Sequence, residues 1–125
     1  MVIQRVTRAH VEVGGEVVGR IGRGFVLLVG LECGDGDEQL ERAAARVATL
    51  RVFDDEEGKM NRGLDEVGGE VLAVSQFTLA GSIRRGRRPS FDHAMPAEQA
   101  EPLFARFVER LRSRGLHVAT GVFRA

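Results

Sequence analysis

Ala9, Val11 and Val13 alternate with Arg8, His10 and Glu12, the period of two expected of a strand with one buried face. Gly14-Gly15 follows as a turn that tolerates positive φ, and Val17, Gly19 and Ile21 share one face of a return strand. The pattern predicts a hairpin. The run Phe25 to Leu31 lacks polar alternation and reads as a strand covered on both faces. After the turn Cys33-Gly34-Asp35-Gly36-Asp37 the period changes: Leu40, Ala43 or Ala44, Val47 and Leu50 recur at helical spacing behind Asp37, Glu38 and Glu41. Acidic residues suit the positive end of a helix, so one is predicted over residues 37 to 51.

The acidic run Asp54 to Glu57, ending in Gly58, reads as a solvated turn, because no histidine stands near it to favour a metal site. Val71 to Leu79 is a second buried strand. Ala100, Leu103, Phe104, Phe107, Val108 and Leu111 form the apolar stripe of a second helix within residues 96 to 114, with Arg110, Arg112 and Arg114 at its negative end and Gly115 to stop it. Pro102 lies inside that pattern. An interior proline removes a hydrogen bond and clashes one turn back, so the regular helix is expected to start near Glu101 after an irregular turn. His117 to Phe123 reads as a last short strand.

The length of 125 residues, with 43% hydrophobic and 29% charged side chains, fits one soluble domain over residues 1–125 and excludes a disordered chain. The longest apolar run is seven residues, Phe25 to Leu31, far short of a membrane span. Cys33 is the single cysteine and the start has no secretion-signal layout, so a cytoplasmic protein is expected. The net charge of zero conceals a polarity. Residues 1 to 70 hold nine basic against fourteen acidic side chains, and residues 71 to 125 nine against four. A zero total therefore does not exclude a nucleic-acid partner.

The strand from Val71 turns polar at its end: Ser75 faces one way with Phe77, Gln76 and Thr78 the other. Two readings stand, a site opening there or a strand emerging into solvent. Arg84, Arg85, Arg87 and Arg88 follow, broken by Gly86, a cationic loop suited to phosphate. His10, Cys33, His93 and His117 have no zinc spacing, so no metal is expected, and no nucleotide-binding glycine motif points to a cofactor. A Ser or Thr nucleophile has no local histidine base. Hydrolysis here would have to rest on positioning, main-chain donors or the substrate's own groups.

Gln4-Arg5-Val6, Gly58-Lys59-Met60-Asn61, Ser75-Gln76-Phe77-Thr78-Leu79, Arg88-Pro89-Ser90-Phe91 and Thr120-Gly121-x-Phe123 stand in this order, and together they resemble the D-aminoacyl-tRNA deacylases over the whole chain. The resemblance implies an α+β fold with barrel-like antiparallel or mixed sheets and two main helices. It also implies a homodimer with its site at the subunit interface, acting on tRNA without metal or cofactor. The implied reaction is hydrolysis of the ester joining a D-amino acid, or glycine mischarged onto tRNA-Ala, to the terminal ribose, a proofreading step before translation. Ser75, Gln76, Phe77 and Thr78 match the substrate pocket, with Met60 and Phe91 near it. The threonine at position 78 is a candidate nucleophile in one family mechanism; the other uses the ribose 2′-hydroxyl and main-chain contacts. Arg84, Arg85, Arg87 and Arg88 are the candidate phosphate contacts.

One departure from the family pattern stands out. Family members continue into a further strand and an Asn-x-Gly-Pro-x-Thr motif that excludes L-amino acids, whereas this sequence ends at Phe123-Arg124-Ala125 and none of Pro89, Pro96 and Pro102 follows glycine. The fold is thus expected to lack its C-terminal strand, leaving Arg5, the match to the arginine that holds the Gly-Pro loop, without that loop. A fragment, a degenerate copy and a shortened active form all fit, and an active chain would discriminate weakly against L-aminoacyl-tRNA. Two rival classes remain: an inert tRNA-binding dimer, and a small-molecule hydrolase using Thr78.

Overall fold

The alternation at the start of the chain resolves into four strands: β1 (Val2–Val6), β2 (Ala9–Val13), β3 (Glu16–Ile21) and β4 (Gly24–Val29). The structure, a computed structural model, describes residues 1–32, 34–75 and 96–121. Beyond β4 come helix α1 (Asp37–Thr49), the short strands β5 (Phe53–Asp54) and β6 (Met60–Arg62), and the single-turn helix α2 (Leu64–Val67). Strand β7 (Glu70–Ser75), helix α3 (Ala97–Ser113) and strand β8 (His117–Thr120) follow.

Four strands make the main sheet in the order β1-β4-β7-β8. β1 is antiparallel to β4, and β4, β7 and β8 run parallel, so the sheet is mixed, as expected. It is open among the described residues. Alternation sorts its side chains onto two faces. Phe25, Leu27, Val29, Val71, Ala73 and Val118 point to one, where they join Leu40, Ala44 and Val47 of α1 and Phe104, Phe107 and Leu111 of α3 in the principal core. Leu72 and Val74 point to the other and meet Ile21 under the β2–β3 hairpin.

The hairpin turn is the one its glycines predict. Gly14 and Gly15 have φ of 59° and 85°, a left-handed pair that matches the twist of the strands it joins. Two expectations need correction. β4 is not covered on both faces: Phe25 and Leu27 are fully buried, but Val26 and Leu28 are only half-buried, because the hairpin folds over the β7–β8 half of the sheet. The second helix is regular from Ala97, with Pro102 inside it. Only the bond that would have ended on the Glu98 carbonyl is lost, and Glu98 is exposed, where water can replace it.

The two long helices are tied by charge as well as packing. Glu41 of α1 accepts hydrogen bonds from Arg114 at 2.5 Å and Arg110 at 2.6 Å, and Asp37 pairs with Arg106 and Arg110, both at 3.2 Å. The bonds from Arg114 and Arg110 hold the Glu41 carboxyl below the usual glutamate range. The terminal turns are ordered locally: Gln39 Oε1 accepts the Gly36 N–H at the start of α1, and Glu66 Oε1 accepts the Gly63 N–H at the start of α2.

Candidate functional site

β7 carries an apolar sequence from Val71 to Val74 and then delivers Ser75 at its C-terminal end. Ser75 is 4% exposed and is the one buried polar residue among those described. It lies beside Val29 in the register of β4 and β7, on the face that carries Val71 and Ala73. A buried hydroxyl at the carboxyl end of a parallel strand is where open α/β sheets commonly place ligands. Gln76, Phe77, Thr78, Arg84, Arg85, Arg87, Arg88 and Phe91 lie outside the described residues, as do Cys33 and His93.

Arg5 and Met60 are placed elsewhere. Arg5 pairs with Phe25 at the opposite end of β4, four residues from Val29 and so about 13 Å along the strand from the Ser75 level. Its guanidinium donates from Nη1 to the Val52 carbonyl at 2.5 Å, tying β1 to the segment that leads into β5. Phe53 of β5 is 1% exposed and stacks on Phe25 with ring centroids 5.2 Å apart, and the Arg23 guanidinium lies over the Phe53 ring at 5.2 Å from its centroid. Such a ring pair contributes about 0.5 to 1.5 kcal/mol beyond its buried area. The β5–β6 hairpin, which carries Met60, is thereby anchored by its base at the Arg5 end of the main sheet, the end opposite Ser75.

The hairpin tip is held by one side chain. Asp55 Oδ1 accepts the backbone N–H groups of Glu57 at 2.8 Å and Lys59 at 3.0 Å, and Oδ2 accepts from Asn61 Nδ2 at 3.0 Å. The Lys59 N–H first, then the Asn61 amide, hold the Asp55 carboxyl below the usual aspartate range. Gly58, at φ 78°, turns the chain back, and Asp55 N–H reaches the Lys59 carbonyl at 2.8 Å. Met60 stands out from this tip with 58% of its surface exposed. Reading Asp54 to Glu57 as a merely solvated turn missed this organising role. The available signal was an aspartate followed three residues on by glycine, the pattern of a side chain bonding back to its own turn. The Arg5–Val52 bond spans 47 residues and had no local signal.

Neither described histidine reaches the Ser75 end. His117 pairs with Glu70 at 3.3 Å, where β7 and β8 begin, and His10 contacts Glu12 at 3.1 Å on the hairpin. Among the described residues no group of His, Cys, Asp and Glu is placed to hold a metal ion, and no helix is long and apolar enough to cross a membrane. A groove of about 730 Å³ runs between β1 and α1, with Met1, Ile3, Arg46 and Thr49 among its walls; it contains none of the residues singled out from the sequence.

The sequence matches the model of the D-Tyr-tRNA(Tyr) deacylase family over residues 2–125. It is 64% identical over 122 residues to the D-aminoacyl-tRNA deacylase of Symbiobacterium thermophilum, covering 98% of this chain and 81% of that protein. Against the D-aminoacyl-tRNA deacylase of Sorangium cellulosum the identity is 58% over 125 residues, covering 99% and 83%. A solved structure titled c-Myc DNA unwinding element binding protein superposes with a TM-score of 0.85 at 42% identity, over 98% of this chain and 84% of that one. Another, of a probable eukaryotic D-amino acid tRNA deacylase, gives 0.65 at 25% identity, over 91% and 67%. With a match that omits only Met1 and relatives identical at more than half of the aligned positions, this chain belongs to the D-Tyr-tRNA(Tyr) deacylase family.

Proposed function

We propose that the protein is a hydrolase of D-aminoacyl-tRNA, acting in the cytoplasm as a single-domain subunit of a homodimer. The observation that carries the activity is the family match along residues 2–125, which includes the Ser75 to Leu79 block. Water adds to the ester carbonyl of the substrate, the bond to the ribose 3′ oxygen breaks, and that oxygen takes up a proton, releasing the D-amino acid and the tRNA. Ser75, Gln76, Phe77 and Thr78 are assigned to the pocket around the aminoacyl group. Thr78 is assigned to positioning, with the ribose 2′-hydroxyl assisting the water. Of the described residues, neither His117 nor His10 stands at the Ser75 end, each pairing with a carboxylate elsewhere, so neither serves as a base there.

The separation of Ser75 from Arg5 along the sheet, with the base of the β5–β6 hairpin anchored at the Arg5 end, favours a site shared by two copies, Ser75 and its successors from one and the β5–β6 hairpin from the other. Exposed apolar side chains at Val2 (55%), Val17 (42%) and Met60 (58%) are available for such an association. Arg84, Arg85, Arg87 and Arg88 are assigned to tRNA phosphates, and Phe91 to the pocket.

The test is release of amino acid from D-tyrosyl-tRNA by the purified 125-residue chain, with L-tyrosyl-tRNA in parallel. Hydrolysis of the D-ester is expected. A folded protein that binds tRNA yet releases no amino acid would overturn the activity in favour of an inert RNA-binding module.

A further inference from the structure

Met60 is the most exposed of the large apolar side chains among the described residues, at 58%, yet it stands on a tightly organised tip. A lone exposed apolar side chain is ordinary on a protein surface; what is particular here is that the backbone on both sides of it is fixed by one carboxylate. The order comes from Asp55. Its two oxygens accept three hydrogen bonds, from Glu57 N, Lys59 N and Asn61 Nδ2, at 2.8, 3.0 and 3.0 Å. These donors lie on both sides of Gly58 and bracket Met60. The base of the same hairpin is fixed separately by Arg5 on Val52 and by Phe53 on Phe25, so Asp55 controls the tip and not the anchorage.

We propose that Asp55 is a positioning residue that sets the Lys59-Met60-Asn61 tip for contact with the aminoacyl end of the substrate, an inference that rests on the deacylase reading above. Asp55 touches no substrate; it acts through Met60. The lowered affinity of its carboxyl for protons agrees with a group that serves as acceptor in all three bonds.

Side-chain chemistry supplies the test. Asp55→Ala removes all three acceptors at once, whereas Asp55→Asn keeps an oxygen for the backbone donors and lets the exposed Asn61 amide turn its own oxygen toward the new N–H₂. For D-tyrosyl-tRNA, Asp55→Ala is expected to raise KM and lower kcat/KM by roughly tenfold or more, the scale of a displaced contact. The conservative Asp55→Asn is expected to retain most of the activity. In a Met60→Ala background, Asp55→Ala should add little further, because the two act through one contact. Amide exchange at Lys59 reads the turn independently of activity.

Faster exchange at Lys59 in Asp55→Ala with unchanged KM overturns the proposal. So does an Asp55→Asn protein that keeps the slow exchange but loses the activity. If the unaltered protein releases no amino acid, the deacylase reading falls and this role falls with it. A fully active protein indifferent to Asp55→Ala removes the positioning role alone.

Discussion

At the scale of single residues, Gly24 and Thr78 make opposite predictions. A Cβ on Gly24 would collide with the backbone of Glu70, its partner across the β4–β7 pairing. No side-chain rotation relieves a collision with backbone. Gly24→Ala is therefore expected to destabilise the fold by on the order of 3 kcal/mol or more, read as a large fall in the urea midpoint; a shift within error would contradict the close approach of the two strands. Thr78→Ala should spare stability and cost only what a positioning hydroxyl contributes, about 1 to 3 kcal/mol. That corresponds to a loss in kcat/KM of roughly 5- to 150-fold. A total loss, with the fold intact, would instead make Thr78 the nucleophile.

At the scale of elements, the α1–α3 clamp predicts a dependence on pH. Glu41 is held below its usual range by Arg114 and Arg110, so its contribution to stability is fully present above the ordinary glutamate value and is lost as pH falls through the lower, folded value. Melting temperature should drop over that acid interval, and Glu41→Gln should flatten the drop, most clearly at low salt. An identical acid profile in the variant would show that the clamp contributes nothing measurable. The helices themselves could be read in advance, because their stripes repeat every three to four residues and bury on one side: Leu40, Ala44 and Val47 in α1, Phe104, Phe107 and Leu111 in α3. The paired short strands β5 and β6 could not. Each is three residues or fewer, too short for a period, and their position depends on Arg5 and Phe25 from a distant part of the chain. The chemistry divides similarly. Ser75 is visible as a polar residue ending an apolar run, whereas its distance from Arg5 is a property of register, which local pattern does not encode.

At the scale of the whole molecule, the proposed sharing of one site between two copies predicts complementation. Protein altered at Gln76 and protein altered at Met60, each weak alone, should regain activity when refolded together, since one composite site in the mixed dimer then contains neither change. No recovery, with mixed dimers demonstrated by native mass spectrometry, would place the entire site within a single chain. Binding of tRNA should weaken with salt, and removing one of Arg84, Arg85, Arg87 or Arg88 should reduce the log–log slope by roughly 0.7 to 0.9 if that arginine meets a phosphate. The docking of the β2–β3 hairpin bears on how the chain reaches this state. Gly19 lies so close to Thr120 that a Cβ would strike its carbonyl, and a Cβ on Gly121 would press on Val11. The early hairpin therefore has its seat on the last described strand, about a hundred residues later in synthesis. On the ribosome the hairpin can close early but cannot be covered, and Ile21 stays wet until β7 and β8 emerge. Nascent chains should accordingly gain protease resistance late and in one step, rather than progressively from the N-terminus.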